Sequence, residues 1–166
     1  MSRDLAVASR SHFFSTLDGA SIMEIPTMGK VVVSATIENL GDLYGVEQGL
    51  LLDDQVRRIE VPDAVVDTGA TTLLLPKRMI AALGLKPTRM RHSRRLSGDF
   101  LLPMYGTVRL TIQERDCPVD VGEIGDEYPV LVGQIPLEAL DWVVDTKGRR
   151  LIGNPDHGGE WGVDAF

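Results

Sequence analysis

Short apolar runs broken by turn residues make up most of this chain, and few of them keep a helical period. Val31-Val32-Val33-Ser34-Ala35-Thr36-Ile37 is apolar and β-branched, which predicts a strand. Asn39-Leu40-Gly41-Asp42 carries turn chemistry and opens a loop over 41–54 that contains Leu50-Leu51-Leu52. Val56 to Val61 reads as a second strand. Pro62-Asp63 interrupts it before Ala64-Val65-Val66 runs into Asp67. Thr71 to Leu75 is a buried strand stopped by Pro76. Lys77 to Leu83 is a short helix with Met79, Ile80 and Leu83 on one face, ended by Gly84.

The second half repeats the rhythm. Thr88 to Leu96 and Phe100 to Tyr105 flank the turn Ser97-Gly98-Asp99, which predicts a projecting hairpin. Pro103 places its second strand at a sheet edge. Thr107 to Ile112 alternates with period two, as do Cys117, Val119 and Val121. Tyr128 to Val132 is a buried strand that ends at Gly133, and Ile135 to Leu140 has the spacing of a short helix. Trp142-Val143-Val144 and Arg149-Arg150-Leu151-Ile152 form a hairpin around Asp145-Thr146-Lys147-Gly148, with Gly148 expected at the position that needs φ > 0. Residues 1–28 have no clean period and read as a flexible arm, in which His12-Phe13-Phe14 is a packing anchor or a linker remnant. Residues 154–166 read as a mobile Gly-, Asp- and Asn-rich tail, apart from Trp161 and Phe166. Many short strands, two short helices and frequent turns predict an all-β, barrel-like domain over 29–153.

Composition narrows the setting. The chain has 166 residues, enough for one domain with a genuine core. It is 43% hydrophobic and 25% charged, within the range of soluble globular proteins. A net charge of −7 argues against nonspecific nucleic-acid binding. Cys117 is the only cysteine, so no intrachain disulfide can form, and a reducing, cytoplasmic setting is the simplest expectation. The first ten residues lack the apolar core of a signal peptide, and no apolar run approaches the roughly 20 residues of a spanning helix.

The segment Ala64-Val65-Val66-Asp67-Thr68-Gly69-Ala70-Thr71 carries the chemistry. An apolar strand that ends in an acid half-buries it, and the glycine that follows lets the backbone turn sharply. That puts a carboxylate on a rigid loop, suited to acid–base work. The motif occurs once. Asp145-Thr146 is followed by Lys147 instead of Gly, so chemistry with two carboxylates needs a second chain. His12, His92 and His157 have no metal-ligand spacing, no Ser sits in a Gly-x-Ser-x-Gly context, and no phosphate-binding glycine loop is present. Arg89, Arg91, Arg94 and Arg95 read first as a solvated edge strand that blunts sheet pairing; the alternative is contact with acidic substrate residues or an acidic partner. Cys117 reads as a small core residue.

These residues resemble the retroviral-type (retropepsin-like) aspartic proteases, in a single-domain, bacterial-like form. Val65-Val66-Asp67-Thr68-Gly69-Ala70 is similar to the active-site loop. The hairpin around Gly98 stands where that family has its flap. Pro129-Val130-Leu131-Val132-Gly133 is similar to the apolar-Gly segment behind the loop, and a short helix from Pro136 follows. The resemblance covers about 30–152. It implies a closed, barrel-like acid protease fold, equal to one retropepsin half. It implies an endopeptidase that is active as a homodimer on polypeptide substrates, without metal, organic cofactor, nucleic acid or membrane. Asp67 would be catalytic, Thr68, Gly69 and Ala70 would support the loop, and Leu96, Ser97, Gly98, Asp99 and Phe100 would form the flap. The alternative is a module of the same fold that dimerises or binds peptide without turnover. Two departures stand out. The flap tip is Ser97-Gly98-Asp99 where retroviral enzymes have more Gly, and both termini carry extra residues in the region that forms the dimer sheet of those enzymes.

Overall fold

The computed structural model describes residues 29–95 and 97–162. The arm expected over 1–28, with His12-Phe13-Phe14, and the flap residue Leu96 lie outside the described residues, as does Phe166. The elements run β1 (Val31–Asn39), α1 (Leu40–Glu47), β2 (Arg58–Val66), β3 (Leu73–Pro76), α2 (Lys77–Ala82), β4 (Pro87–Arg95), β5 (Gly98–Ile112), β6 (Arg115–Ile124), β7 (Leu131–Val132), α3 (Gln134–Ala139), β8 (Trp142–Asp145) and β9 (Arg150–Gly153).

The architecture is all-β. The main sheet has seven strands in the order β1-β2-β7-β3-β6-β5-β4, and β1 also pairs with β5, through Thr36–Thr111 to Asn39–Val108. That extra pairing closes six strands into a ring and leaves β4 outside it, held only by β5. Closure follows from the alternation. Val31, Val33, Ala35 and Ile37 point inward from β1, and Val108, Leu110 and Ile112 from β5. Cys117, Val119 and Val121 complete the wall from β6. Each of these is buried, so a slip of one residue in any of the three strands would turn its apolar set out to water. Cys117 is the core residue expected, and burial pushes its thiol up to about 11.

β5 unites two runs that the sequence separates. Its first half pairs with β4 as a hairpin, and its second half pairs with β1 and β6. The change of partner falls at Gly106, where the register with β6 shifts and the Gly106 N–H donates to the Lys86 carbonyl at 2.9 Å. β5 therefore lies between β4 and β6 and is not the edge strand that Pro103 predicts. Pro103 is tolerated because pairing with β6 begins only at Met104. The edge belongs to β4.

Other expectations shift for physical reasons. The loop predicted after Asn39 is the helix α1. The Asn39 side chain accepts from the Asp42 N–H at 3.1 Å as its N-cap, and Asn39 also donates to the Leu83 carbonyl at 2.8 Å. Gly45, read as a loop signal, makes room for Leu51, whose Cδ1 would lie 2.9 Å from an added Cβ. Arg57 then forks onto Asp42 with two bonds of 2.7 Å, which holds the Asp42 carboxyl below the usual range. Pro62 does not break β2. The strand continues through a register shift opposite Ser34. The predicted strands at 71 and 128 shorten to Leu73–Pro76 and Leu131–Val132. In the β8–β9 hairpin the positive φ falls on Arg149 (52°), not on Gly148. Gly148 is needed for space instead: a Cβ there would sit 2.3 Å from the Asp145 carboxylate that accepts its N–H.

The ring depends on the β1–β5 contact. Leu110 is fully buried and faces Ile37 across it. Leu110→Ala is expected to lower stability by about 2–5 kcal/mol. In urea unfolding the midpoint should drop with the slope unchanged; an unaltered midpoint would show that closure does not rest on this pair.

Candidate active site

β2 delivers Asp67 to the rim of the ring and the chain then turns back on itself. The turn is tied at every step. The Asp67 N–H donates to the Val132 carbonyl at 2.9 Å, and the Ala70 N–H donates to the Asp67 carbonyl at 3.0 Å. One Asp67 carboxylate oxygen accepts from the Gly69 N–H at 2.9 Å. The returning limb is held by α3, whose Gln134 and Ile135 N–H groups donate to the carbonyls of Ala70 (2.9 Å) and Thr71 (3.0 Å). Gly133 N–H donates to the Thr72 carbonyl, and the Thr72 hydroxyl donates to the Asp120 carbonyl at 2.7 Å.

β7 makes this possible. It runs parallel to β2 and antiparallel to β3, so two residues lie between the two limbs of the loop. Gly133 at its end has no room for a side chain. A Cβ would lie 2.4 Å from the Thr72 carbonyl oxygen and 2.6 Å from that of Ala70. The carboxylate of Asp67 is half-buried, Thr68 and Gly69 are exposed, and Ala70 is half-buried. This is a fixed acid with one oxygen already bonded to backbone and the group still open to water.

Two clefts open on the surface. One, of about 570 Å³, is lined by Thr68, Gln134, Glu138, Asp141, Trp142 and His157 among others. The second, of about 370 Å³, lies between Phe100, Leu101 and Pro103 of the hairpin and Lys77, Glu123 and Tyr128 of the body. Asp67 lines neither; Thr68 is the one loop residue that reaches a cleft. At the hairpin tip Ser97, Gly98 and Asp99 are exposed and Phe100 is half-buried, with Gly98 at φ 121° and Asp99 paired to Arg94 at 3.5 Å. Among the described residues, no hydrogen bond or ion pair joins Ser97, Gly98 or Asp99 to the Asp67 loop. Among the described residues no three His, Cys, Asp or Glu side chains group as metal ligands, and no helix is long and apolar enough to cross a membrane.

The structure also shows a centre absent from the sequence expectations. Asp141 is buried and accepts from His157 Nδ1 (2.7 Å), Asn154 (2.9 Å) and the Gly162 N–H (3.1 Å). Buried Arg115 donates to the carbonyls of Leu140, Asp141 and Gly159 and lies 3.9 Å over the Trp142 ring. Residues 154–162, expected as a mobile tail, are thus bonded to the body, and Trp161 within them is about half exposed. Asp145-Thr146, the other Asp-Thr pair, is a hairpin turn whose carboxylate is used by the Gly148 N–H and Arg150.

No family model and no curated protein matches this chain. Among solved structures, the solution structure of simian foamy virus (mac) protease matches with a TM-score of 0.42 and 16% identity. The match covers 66% of this chain and 93% of that one. A likeness that loose carries no argument about chemistry.

Two outcomes follow from the geometry. Gly133→Ala is expected to destabilise the chain by roughly 2–4 kcal/mol, because backbone carbonyls on both sides must move; thermal unfolding reads it, and a wild-type midpoint would show that the clamp has slack. The second concerns acid. The bond from His157, with Asn154 and Gly162 behind it, lowers the Asp141 carboxyl from 3.8 to about 2. A depressed folded value means that the stabilisation is complete above the unfolded value and is lost as pH falls from about 4 to about 2. Wild type and Asp141→Asn should therefore differ in urea midpoint at pH 6 and converge toward pH 2. A constant difference over that range would contradict the assignment.

Proposed function

We propose that this chain is an aspartic endopeptidase of the retropepsin type, in which two copies each contribute one Asp67. The observation that carries the reading is the clamped loop: a half-buried carboxylate on a turn that β7 and α3 hold from both sides, with Gly69 supplying an N–H to one oxygen. Asp145 is engaged in a turn, which leaves Asp67 as the one Asp-Thr-Gly acid of the chain. A paired site then needs the second copy.

Two carboxylates brought within a few Å cannot both ionise easily, so the pair shares one proton. The ionised member takes a proton from a bound water as the oxygen attacks the scissile carbonyl carbon. The protonated member donates to the carbonyl oxygen. Collapse of the tetrahedral species breaks the C–N bond, and the leaving nitrogen takes a proton from the pair. No covalent enzyme intermediate forms. Thr68 and Gly69 support the loop. The β4–β5 hairpin, with Ser97, Gly98, Asp99 and Phe100 at its tip, closes over an extended peptide and excludes water.

Incubation with a peptide library should give cleavage whose kcat/KM is bell-shaped in pH, with limbs that belong to the pair of acids. Asp67→Asn should reduce the rate by roughly 10²–10⁴-fold or more while the circular dichroism spectrum and sedimentation coefficient stay as in wild type. Cleavage retained by pure Asp67→Asn protein would refute the proposal. Wild-type dimers that cleave nothing would mark a peptide-binding module instead.

A further inference from the structure

The charge of the chain is unevenly placed. Between Asp67 and Asp99 there is no Asp or Glu, although the chain has 24, while Arg89, Arg91, Arg94 and Arg95 crowd one strand. That strand is β4, the outermost of the main sheet, and its described side chains from Thr88 to Arg94 are exposed except Ser93, which is half-buried. One side of β4 pairs with β5 over Pro87–Tyr105 to Arg95–Gly98. The other side has no neighbouring strand among the described residues, so its outward N–H and C=O groups are turned to solvent.

Edge strands are commonly blunted by being short, by charged side chains, by an internal proline or by a bulge; of these β4 carries the charges, which repel another cationic strand but not an acidic one. β4 is nine residues long, and its one proline and its register shift both lie at its first residues, Pro87 to Arg89. From Arg89 to Arg95 it is regular. Its cations are only partly matched. Arg89 bonds Asp120 at 2.7 Å, and Arg94 faces Asp99 at 3.5 Å while 91% exposed. Among the described residues no hydrogen bond or ion pair engages the Arg91 side chain, which attracts Asp120 only at longer range. Alternation puts Arg89 and Arg91 on one face and Met90, His92 and Arg94 on the other. Met90 and Leu101, both about half exposed, lie on that second face, where Leu101 stands opposite His92.

We propose that the outer edge of β4 is a docking site for an extended acidic peptide segment. The segment adds a strand beside Arg89–Arg95 by backbone hydrogen bonding, and its carboxylates are taken by Arg91 and Arg94 on the two faces. An extended peptide fits better than a nucleic acid. The edge offers a backbone ladder that phosphates do not use, and β4 has no Phe, Tyr or Trp on which bases could stack. This surface goes beyond the proposed protease activity, because binding there does not require Asp67.

The test uses the full chain, as wild type and as Asp67→Asn, so that binding is read apart from turnover. The probe is a fluorescein-labelled nonapeptide of Glu-Glu-Val-Val repeats, which carries Glu on both faces of an extended strand, followed by anisotropy. It should bind both forms alike, and its Gln-for-Glu counterpart should bind about tenfold or more weakly. Arg91→Glu with Arg94→Glu should weaken the acidic probe by a similar factor while leaving the thermal midpoint near wild type, since both side chains are exposed. A version of the acidic probe N-methylated at alternate residues should also lose affinity, because it cannot complete the ladder. Equal binding of the Glu and Gln peptides, indifference to N-methylation, no binding of the acidic probe, or tighter binding of a single-stranded oligonucleotide would each overturn the proposal.

Discussion

A two-residue strand holds the site in shape. β7 lies between β2 and β3, and its neighbours in sequence bond to both limbs of the turn that carries Asp67. Turns of this kind usually sit at a surface and move with solvent. Here the backbone donors and acceptors from Asp67 onward are used by another part of the chain 64 or 65 residues later in sequence: Asp67 by Val132, Ala70 by Gln134 and Thr71 by Ile135. Each bond is modest by itself, roughly 0.5–1.5 kcal/mol net. Together they remove the alternatives. For acid–base chemistry the benefit is positional, because a carboxylate that need not be reoriented loses less entropy when it meets a substrate.

How far this could be read from the sequence depended on the range of the interaction. β1, the second half of β5 and β6 were legible because inward positions alternate over six or more residues, and burial of that face overrides local competition. The Asp67 turn was legible as an apolar run, an acid and a glycine. The clamp on it was only half legible. Val130, Leu131, Val132 and Gly133 announce a buried segment and a glycine, but not that the glycine is required because two carbonyls stand where its Cβ would be. α1 was missed because Gly41 and Gly45 look like loop residues until Leu51 is folded onto Gly45. Asn39, which caps the helix and also bonds Leu83, was the available signal. The Asp141 centre was not legible, since Asp141, Asn154, His157 and Gly162 have no local pattern. Its parts meet only when the chain beyond β9 returns to the end of α3.

Pro103 shows a local rule that is right about the residue and wrong about the strand. It does sit where a ladder neighbour is missing, because β6 begins its pairing one residue later. The strand it belongs to is nonetheless internal, because β5 is long enough to serve two partners in succession. That length sets the character of the hairpin. A strand that leaves the ring beyond Met104 and continues to Gly98 carries β4 with it, beyond the wall that buries the core. The hairpin is therefore anchored at its base in the most buried part of the sheet and exposed at its tip.

The same geometry separates the electrostatics. Buried or half-buried ion pairs lie on the body: Asp42 with Arg57, Glu38 with Arg58 and Arg109. Each ties one strand or helix to the next, and removing one partner leaves a charge in a poor solvent. On β4 the cations stand in water, where a single pair contributes little and is screened by salt. Arginines placed there do little for the fold. Their cost is self-repulsion along one strand, and among the described residues the ion pairs that relieve it are those with Asp99 and Asp120. An arrangement neutral or mildly unfavourable for the free protein becomes favourable once carboxylates arrive on an added strand, because one ligand satisfies both the unpaired backbone and the crowded charge.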